Sequence, residues 1–182
     1  MFIQTESTPN PSTLKFLPGR EVMASGTADF TSAETANRSP LAAKLFTLDG
    51  VASVFLGSDF ITITKDEGQS WSSLKPLALS AIMDFFTSGL LPVIAEEARA
   101  AVDGEETDVV RQIRELLDTR VRPAVAQDGG DIIFRSFDDG IVYVHLQGAC
   151  SGCPSSTATL KHGIENMLKY YVPEVVSVQA VD

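Results

Sequence analysis

The chain has 182 residues and a net charge of −10, with a sequence pI near 4.6. This length suits one large or two small domains, and a composition of 44% hydrophobic and 21% charged residues allows a packed core. An acidic protein is repelled by phosphate backbones and by anionic lipids, so we expect no nucleic-acid partner and no membrane partner.

The N-terminal part predicts short strands alternating with helices. The predicted elements are, in chain order, strands at 2–5 and 13–17, a helix at 40–46, a hairpin of strands 51–56 and 60–64, and a helix at about 70–87. Ser39 followed by Pro40 indicates the start of the first helix, because serine caps a helix N-terminus and proline favours the first helical position. No catalytic constellation is visible in this part of the sequence.

A stretch of biased charge separates the two parts of the chain. Residues 93–107 hold one basic residue, Arg99, against five acidic ones, and no aromatic residue. This composition is typical of a linker. We therefore predict an N-terminal domain at 1–92, an acidic linker at 93–107 and a C-terminal domain at 108–182.

The C-terminal part predicts the element order α-β-β-α-β, a small sheet covered by two helices. A helix is predicted from Val109 to about Ala126, with a kink or early end at Pro123, whose nitrogen cannot donate a hydrogen bond. The apolar residues of this helix are Val109, Ile113, Leu116, Leu117, Val121 and Ala124. Strands follow at 132–137 and 141–147 around an Asp-Gly turn, then a helix at 154–171 and a strand at 175–181. The predicted fold class is α+β, in two small domains.

The chain has only two cysteines, Cys150 and Cys153, in a loop between a predicted strand and a predicted helix. Pro154 at the first helical position would make Cys153 the N-cap residue, which faces unpaired backbone N–H groups and the positive end of the helix dipole. Both effects favour the thiolate, the form that binds metal. Gly148 and Gly152 leave room for the backbone to approach a bulky ligand. We expect the loop to be exposed, with no core packing that depends on it.

Four interpretations of this cysteine pair are open. The cysteines could be inert, or they could bind zinc, for which His145 and His162 are the further ligands that the chain offers. They could form a dithiol/disulfide oxidoreductase site, since C-x-x-C at a helix start also serves redox chemistry. They could ligate an iron–sulfur cluster. The flanking glycines and the helix start favour the cluster, because an anionic cluster suits this environment.

Several motifs resemble a known family. Residues 121–131 (VRPAVAQDGGD) and 148–156 (GACSGCPSS) resemble the C-terminal domain of NifU-like proteins. The segments 8–11 (TPNP), 14–16 (LKF) and 83–86 (MDFF) resemble the N-terminal domain of the Nfu-type iron–sulfur cluster carriers. The resemblance covers both predicted domains, and the combination of motifs is far more specific than a bare C-x-x-C.

The resemblance implies a function and a ligand set. Cys150 and Cys153 from each of two subunits would bind a [4Fe–4S] cluster, or a [2Fe–2S] cluster in its place, so the loaded protein would be a homodimer. The cluster would pass to recipient apo iron–sulfur proteins, in company with cluster-assembly proteins and without catalytic turnover. For Asp128 and Asp131 we expect only a helix-to-strand turn. The chain starts without a targeting extension, which suggests the cytoplasm of a bacterium, or the mitochondrial matrix if a presequence has been removed.

Overall fold

Two separate sheets organise the residues that the computed structural model describes, which are 1–92, 107–151 and 154–181. The chain divides into two compact units, Met1–Ala98 and Arg99–Asp182. Both units combine helices with a sheet, which confirms the predicted α+β class. The predicted linker at 93–107 lies outside the described residues, except for Thr107.

The first unit has a five-stranded antiparallel sheet in the order β1-β2-β5-β4-β3. Its elements are β1 (Gln4–Ser7), β2 (Thr13–Leu17), β3 (Ala28–Phe30), a 3-10 helix (Thr35–Arg38), α1 (Pro40–Phe46), β4 (Val51–Leu56), β5 (Ile61–Lys65) and α2 (Trp71–Thr87). The predicted strands and helices are confirmed within a few residues at each end. Sequence analysis missed β3 and the 3-10 helix.

Helices α1 and α2 pack on this sheet in one hydrophobic core. The Ser39 side chain accepts a hydrogen bond from the backbone N–H of Ala42, so α1 has the predicted serine cap followed by Pro40. The core includes Phe16 of β2, Val54 and Leu56 of β4, Ile61 and Ile63 of β5, Leu41 and Leu45 of α1, and Ile82 and Phe85 of α2. This burial stabilises the unit without drawing on any residue of the second unit.

The second unit has a three-stranded sheet in the order β6-β7-β8. Its elements are α3 (Asp108–Leu116), a π-helical turn (Leu117–Val121), α4 (Arg122–Gln127), β6 (Gly130–Asp138), β7 (Ile141–Gly148), α5 (Pro154–Tyr171) and β8 (Ser177–Ala180). Strand β6 pairs antiparallel with β7, and β8 pairs parallel with β7 after the α5 crossover. The predicted order α-β-β-α-β is confirmed.

The π-helical turn keeps one row of apolar side chains in the core. The buried row advances four residues at a time, through Ile113, Leu117, Val121 and Val125. In a regular α-helix each such step drifts by about 40°, so the row would rotate out of the core. The wider π turn takes up one extra residue, and the backbone N–H of Arg122 donates to the Leu117 carbonyl five residues back. The row therefore stays on the buried face.

The irregularity predicted near Pro123 is this π-helical turn. The helical segment is not ended by the proline; it widens just before it and continues as α4. The prediction that Ala124 lies on the apolar face is wrong, because the extra residue of the π turn moves that face to Val125. Val125 is 2% exposed, whereas Ala124 is exposed.

None of the helices in the described ranges is both long and apolar enough to cross a membrane.

Candidate metal centre at the cysteine loop

The cysteine loop, residues 149–153, leaves β7 beside the turn that leads into β6. Gly148 ends β7 with a φ of 65° and pairs with Gly130 at the start of β6. The backbone N–H of Ala149 donates to the Gly129 carbonyl at 3.2 Å, and that of Ser151 donates to the Gly148 carbonyl at 3.1 Å. The described part of the loop is therefore tied by backbone hydrogen bonds to the helix-to-strand turn.

Cys150 is buried, contrary to the prediction of an exposed loop on which no packing depends. The residue is 7% exposed, and it belongs to the hydrophobic core that also contains Ile164 and Leu168 of α5. Its carbonyl accepts a hydrogen bond from the Thr157 hydroxyl at 3.1 Å, which joins the loop to the first turns of α5. Cys150 is buried because it follows β7 closely and lies in the core to which the sheet and α5 both contribute.

Gly130 makes room for the Cys150 thiol. A Cβ atom built on Gly130 would lie 2.6 Å from Cys150 Sγ and 2.8 Å from the Gln147 carbonyl oxygen. Real Cβ atoms do not approach backbone and sulfur so closely, so any side chain at this position would push the loop away. The second glycine of the Asp-Gly-Gly-Asp segment is thus required by a close approach, whereas the first, Gly129, has the positive φ of the turn.

The surroundings of Cys150 favour the neutral thiol. Burial raises the pKa of Cys150 to about 12, and the negative charges of Asp128 and Asp131 act in the same direction. This is the opposite of the environment predicted for Cys153. Metal ions bind the thiolate. A metal ion that binds Cys150 would therefore have to displace the thiol proton, which the surroundings of Cys150 stabilise.

An ion pair lies close to this thiol, and sequence analysis did not predict it. Asp131 is 3% exposed and accepts two hydrogen bonds from the Arg122 guanidinium, from Nε at 2.8 Å and from Nη2 at 2.9 Å. The Asp131 carboxylate also accepts the backbone N–H of Ile132 at 2.8 Å. On its outer side Arg122 contacts Asp118 at 3.2 Å. These bonds, the one to Asp131 above all, raise the pKa of Arg122 above its ordinary value.

The structure describes only one of the two predicted ligands, Cys150. Helix α5 begins at Pro154, as the sequence predicted. Cys153 lies outside the described residues, so its position at the helix N-cap stays a prediction. Cys150 is described, and its sulfur is a soft donor of the type that iron–sulfur clusters take. One thiol of the predicted ligand set is therefore placed and fits such a group.

The histidines offered for a zinc site do not join the described thiol. On β7, the His145 ring nitrogen Nδ1 lies 3.0 Å from the Val181 carbonyl oxygen, and His162 is exposed on α5. Within the described ranges, no three His, Cys, Asp or Glu side chains are grouped closely enough to hold a metal ion. The described residues thus give no support to zinc bound within one chain.

The two units match two known domain families. Residues 3–89 match the family described as "Scaffold protein Nfu/NifU N terminal", and residues 113–179 match the family described as "NifU-like domain". The human protein named "NFU1 iron-sulfur cluster scaffold homolog, mitochondrial" is 55% identical over 184 residues, which cover 100% of this chain and 72% of the human protein. The chain belongs to the Nfu family. The Drosophila ananassae protein of the same name is 54% identical over 185 residues, covering 100% of this chain and 64% of that protein.

The solved structures include a relative of one part of this Nfu chain. The solution NMR structure of a NifU-like protein from Saccharomyces cerevisiae is 31% identical, covers 53% of this chain and 87% of its own, and has a TM-score of 0.47. Membership in the Nfu family confirms the resemblance drawn from the motifs. It supports a role as a scaffold or carrier for an iron–sulfur cluster.

Proposed function

We propose that this chain binds a [4Fe–4S] cluster through Cys150 and Cys153 and transfers it to recipient apo-proteins. The observation that carries the proposal is the position of Cys150, between β7 and α5, where Gly130 makes room for its thiol. The cluster is cargo on this view, and the protein holds it between assembly and delivery. The names of the relatives support the class of cargo.

The proposed stoichiometry follows from the number of thiols. Clusters of the cubane type take four cysteine thiolates, and each chain has two cysteines. Two copies related by a two-fold axis would bring the same loop to one centre, because an isologous contact repeats each residue on both sides. We therefore propose a cluster-bridged homodimer whose apo form is mainly monomeric. A [2Fe–2S] cluster between the same four thiolates is the smaller cargo that this ligand set would hold.

A dithiol oxidoreductase is the alternative from another functional class. Thiol–disulfide exchange needs a thiolate at neutral pH, and the raised pKa of Cys150 disfavours one in the metal-free protein. A cluster overcomes the same barrier because iron replaces the proton on sulfur. Purification without oxygen separates the two: a brown protein supports the carrier, and a colourless protein that reduces disulfides supports the enzyme.

The two domains and the linker would have separate roles in cluster transfer. We propose that recipient apo iron–sulfur proteins are recognised by the N-terminal domain, residues 1–92, and that the cluster is held by residues 108–182, with 93–107 as the linker. Cluster-assembly proteins would load the carrier. The relatives are named as mitochondrial proteins, which favours the mitochondrial matrix over the bacterial cytoplasm.

Anaerobic reconstitution tests the function directly. The protein is supplied with ferrous iron and sulfide, then analysed for iron and sulfide, by Mössbauer spectroscopy and by sedimentation. The expected result is a dimer with about two irons per chain, half a cubane each, from the four-thiolate requirement. A loaded monomer with a complete cubane would remove the bridged arrangement, and a protein that takes up no iron would remove the cluster itself.

A further inference from the structure

The Arg122–Asp131 ion pair lies next to Gly130, which contacts the thiol proposed to bind the cluster. Asp131 follows Gly130, the residue whose Cβ would touch Cys150 Sγ, and the Asp131 side chain is buried. A carboxylate in this position opposes a thiolate, and it opposes still more a cluster bound by four thiolates. The charge near the sulfur is therefore unfavourable to the cargo unless a cation balances it.

Arg122 supplies a balancing charge with defined geometry. Its guanidinium makes two parallel hydrogen bonds to the Asp131 carboxylate, an arrangement that fixes orientation as well as charge. Asp118, four residues earlier, holds Nη1 at 3.2 Å from the exposed side. The π-helical turn sets the direction in which Arg122 leaves the helix, because it rotates the segment after Leu117 by one residue.

We propose that Arg122 is a positioning residue for the cluster site, where it neutralises the buried Asp131 carboxylate so that an anionic cluster can be held at Cys150. The inference rests on the proposed function. Arg122 contacts neither the thiol nor the cargo on this view; it acts through Asp131. Removal of groups that surround and orient metal ligands typically changes metal affinity by 10–100-fold, which sets the scale of the expected effect.

A charge cycle on the full-length protein tests the proposal. Arg122→Gln removes the guanidinium that pairs with the Asp131 carboxylate, and we expect the loaded protein to lose its cluster to a chelator about tenfold faster. Arg122→Gln with Asp131→Asn replaces the ion pair by two neutral amides, and we expect it to recover most of the cluster retention. A double variant that loses its cluster as fast as Arg122→Gln would overturn the proposal.

The reduction potential of the bound cluster provides a second readout. If the ion pair had a purely structural role, its two single variants would not shift this potential in opposite directions. Potentials of such clusters respond to net charge near the sulfurs. Loss of the cation in Arg122→Gln should lower the potential, loss of the anion in Asp131→Asn should raise it, and the double variant should return close to the wild type. Shifts of the same sign in both single variants would contradict a role in charge balance.

Two controls separate charge from folding. Arg122→Lys keeps the cation without the paired hydrogen bonds and should retain the cluster better than Arg122→Gln, even if the latter folds poorly. Arg120→Gln removes the same charge two residues earlier, in the π turn, where Arg120 lies over the Tyr171 ring, and should leave retention unchanged. Loss in Arg120→Gln equal to that in Arg122→Gln would overturn the proposal. Wild-type protein that binds no cluster would instead overturn the proposed function.

Discussion

At the scale of single residues, Cys150 has two roles, of which the sequence predicted only one. It is a proposed cluster ligand, and it is also a buried member of the core between the sheet and α5. Substitutions that remove the ligand therefore also change packing. The choice of replacement decides whether an experiment reports on cluster binding alone.

Cys150→Ser and Cys150→Ala should both abolish stable cluster binding, but they should differ in stability. The serine hydroxyl is polar and would be buried among apolar side chains, at a cost of about 1–3 kcal/mol in unfolding free energy if it finds no partner. Alanine loses only the contacts of the sulfur, roughly 1 kcal/mol. Urea unfolding of the apo-proteins, with iron analysis after reconstitution, measures both effects. A serine variant as stable as the wild type would contradict the burial of this side chain.

Gly130→Ala should displace the cysteine loop. The added methyl group would meet Cys150 Sγ at 2.6 Å, so we expect a loss of about 1–3 kcal/mol and weakened cluster binding. Gly163→Ala on α5 is the matched control, because its Cβ would meet nothing within 4 Å and alanine is the better helix former by about 1 kcal/mol. Thermal unfolding of the two variants should shift in opposite directions. If Gly130→Ala unfolds and binds iron like the wild type, the close approach is not a constraint.

At the scale of elements, the π-helical turn is what periodicity alone could not predict. Apolar residues at both three- and four-residue spacing from Val109 onward predicted the helix, and Pro123 marked the irregularity. Whether Ala124 or Val125 faced the core depends on one extra residue in the turn, and that is decided by packing against the sheet. The propensities of individual residues do not contain this information.

A pair of neighbouring substitutions tests the register of that helix. Val125→Ala removes two buried methyl groups and should cost about 2 kcal/mol. Ala124→Val adds them on the exposed side and should cost no more than about 0.7 kcal/mol, the difference in helix propensity. Denaturant unfolding of both variants gives the comparison. The reverse order of the two losses would restore the prediction that Ala124 lies on the apolar face.

The contrast between local sequence pattern and tertiary packing also explains which other elements and site residues could be predicted from the sequence. Strands β4 to β7 were predicted because their apolar residues are continuous or alternate and because turn residues bound them. Strand β3 has one large apolar residue, Phe30, and exists because it pairs with β4. The two cysteines were found from their spacing, whereas the Arg122–Asp131 pair joins residues nine apart in separate elements. Such a contact becomes visible only when α4 and β6 are brought together.

At the scale of the whole molecule, the two units have their own sheets and their own cores. The second core draws on α3, the π turn, α4, α5 and all three strands of its sheet. Helix α3 is capped by Thr107, whose hydroxyl accepts a hydrogen bond from the backbone N–H of Val110. A unit with these features can be expected to fold without its neighbour.

A fragment of residues 99–182 should therefore unfold cooperatively and bind a cluster with the stoichiometry of the full chain. Thr107→Ala in this fragment should cost about 1 kcal/mol, because the first turn of α3 loses its cap. Circular dichroism during urea unfolding and iron analysis of the reconstituted fragment are the measurements. An unfolded fragment would show that the second unit depends on the first.

The parallel pairing of β8 with β7 governs the order in which the second unit can be completed during synthesis. The β6–β7 hairpin pairs Gly130 with Gly148 through a short turn, so these two strands are synthesised before α5 and β8. Strand β8 follows only after all of α5, and until then β7 has one uncovered edge. Uncovered strand edges invite association with other chains. A nascent chain of this protein consequently pairs β6 with β7 before it has closed its sheet, and the four residues Ser177–Ala180 end that period of exposure.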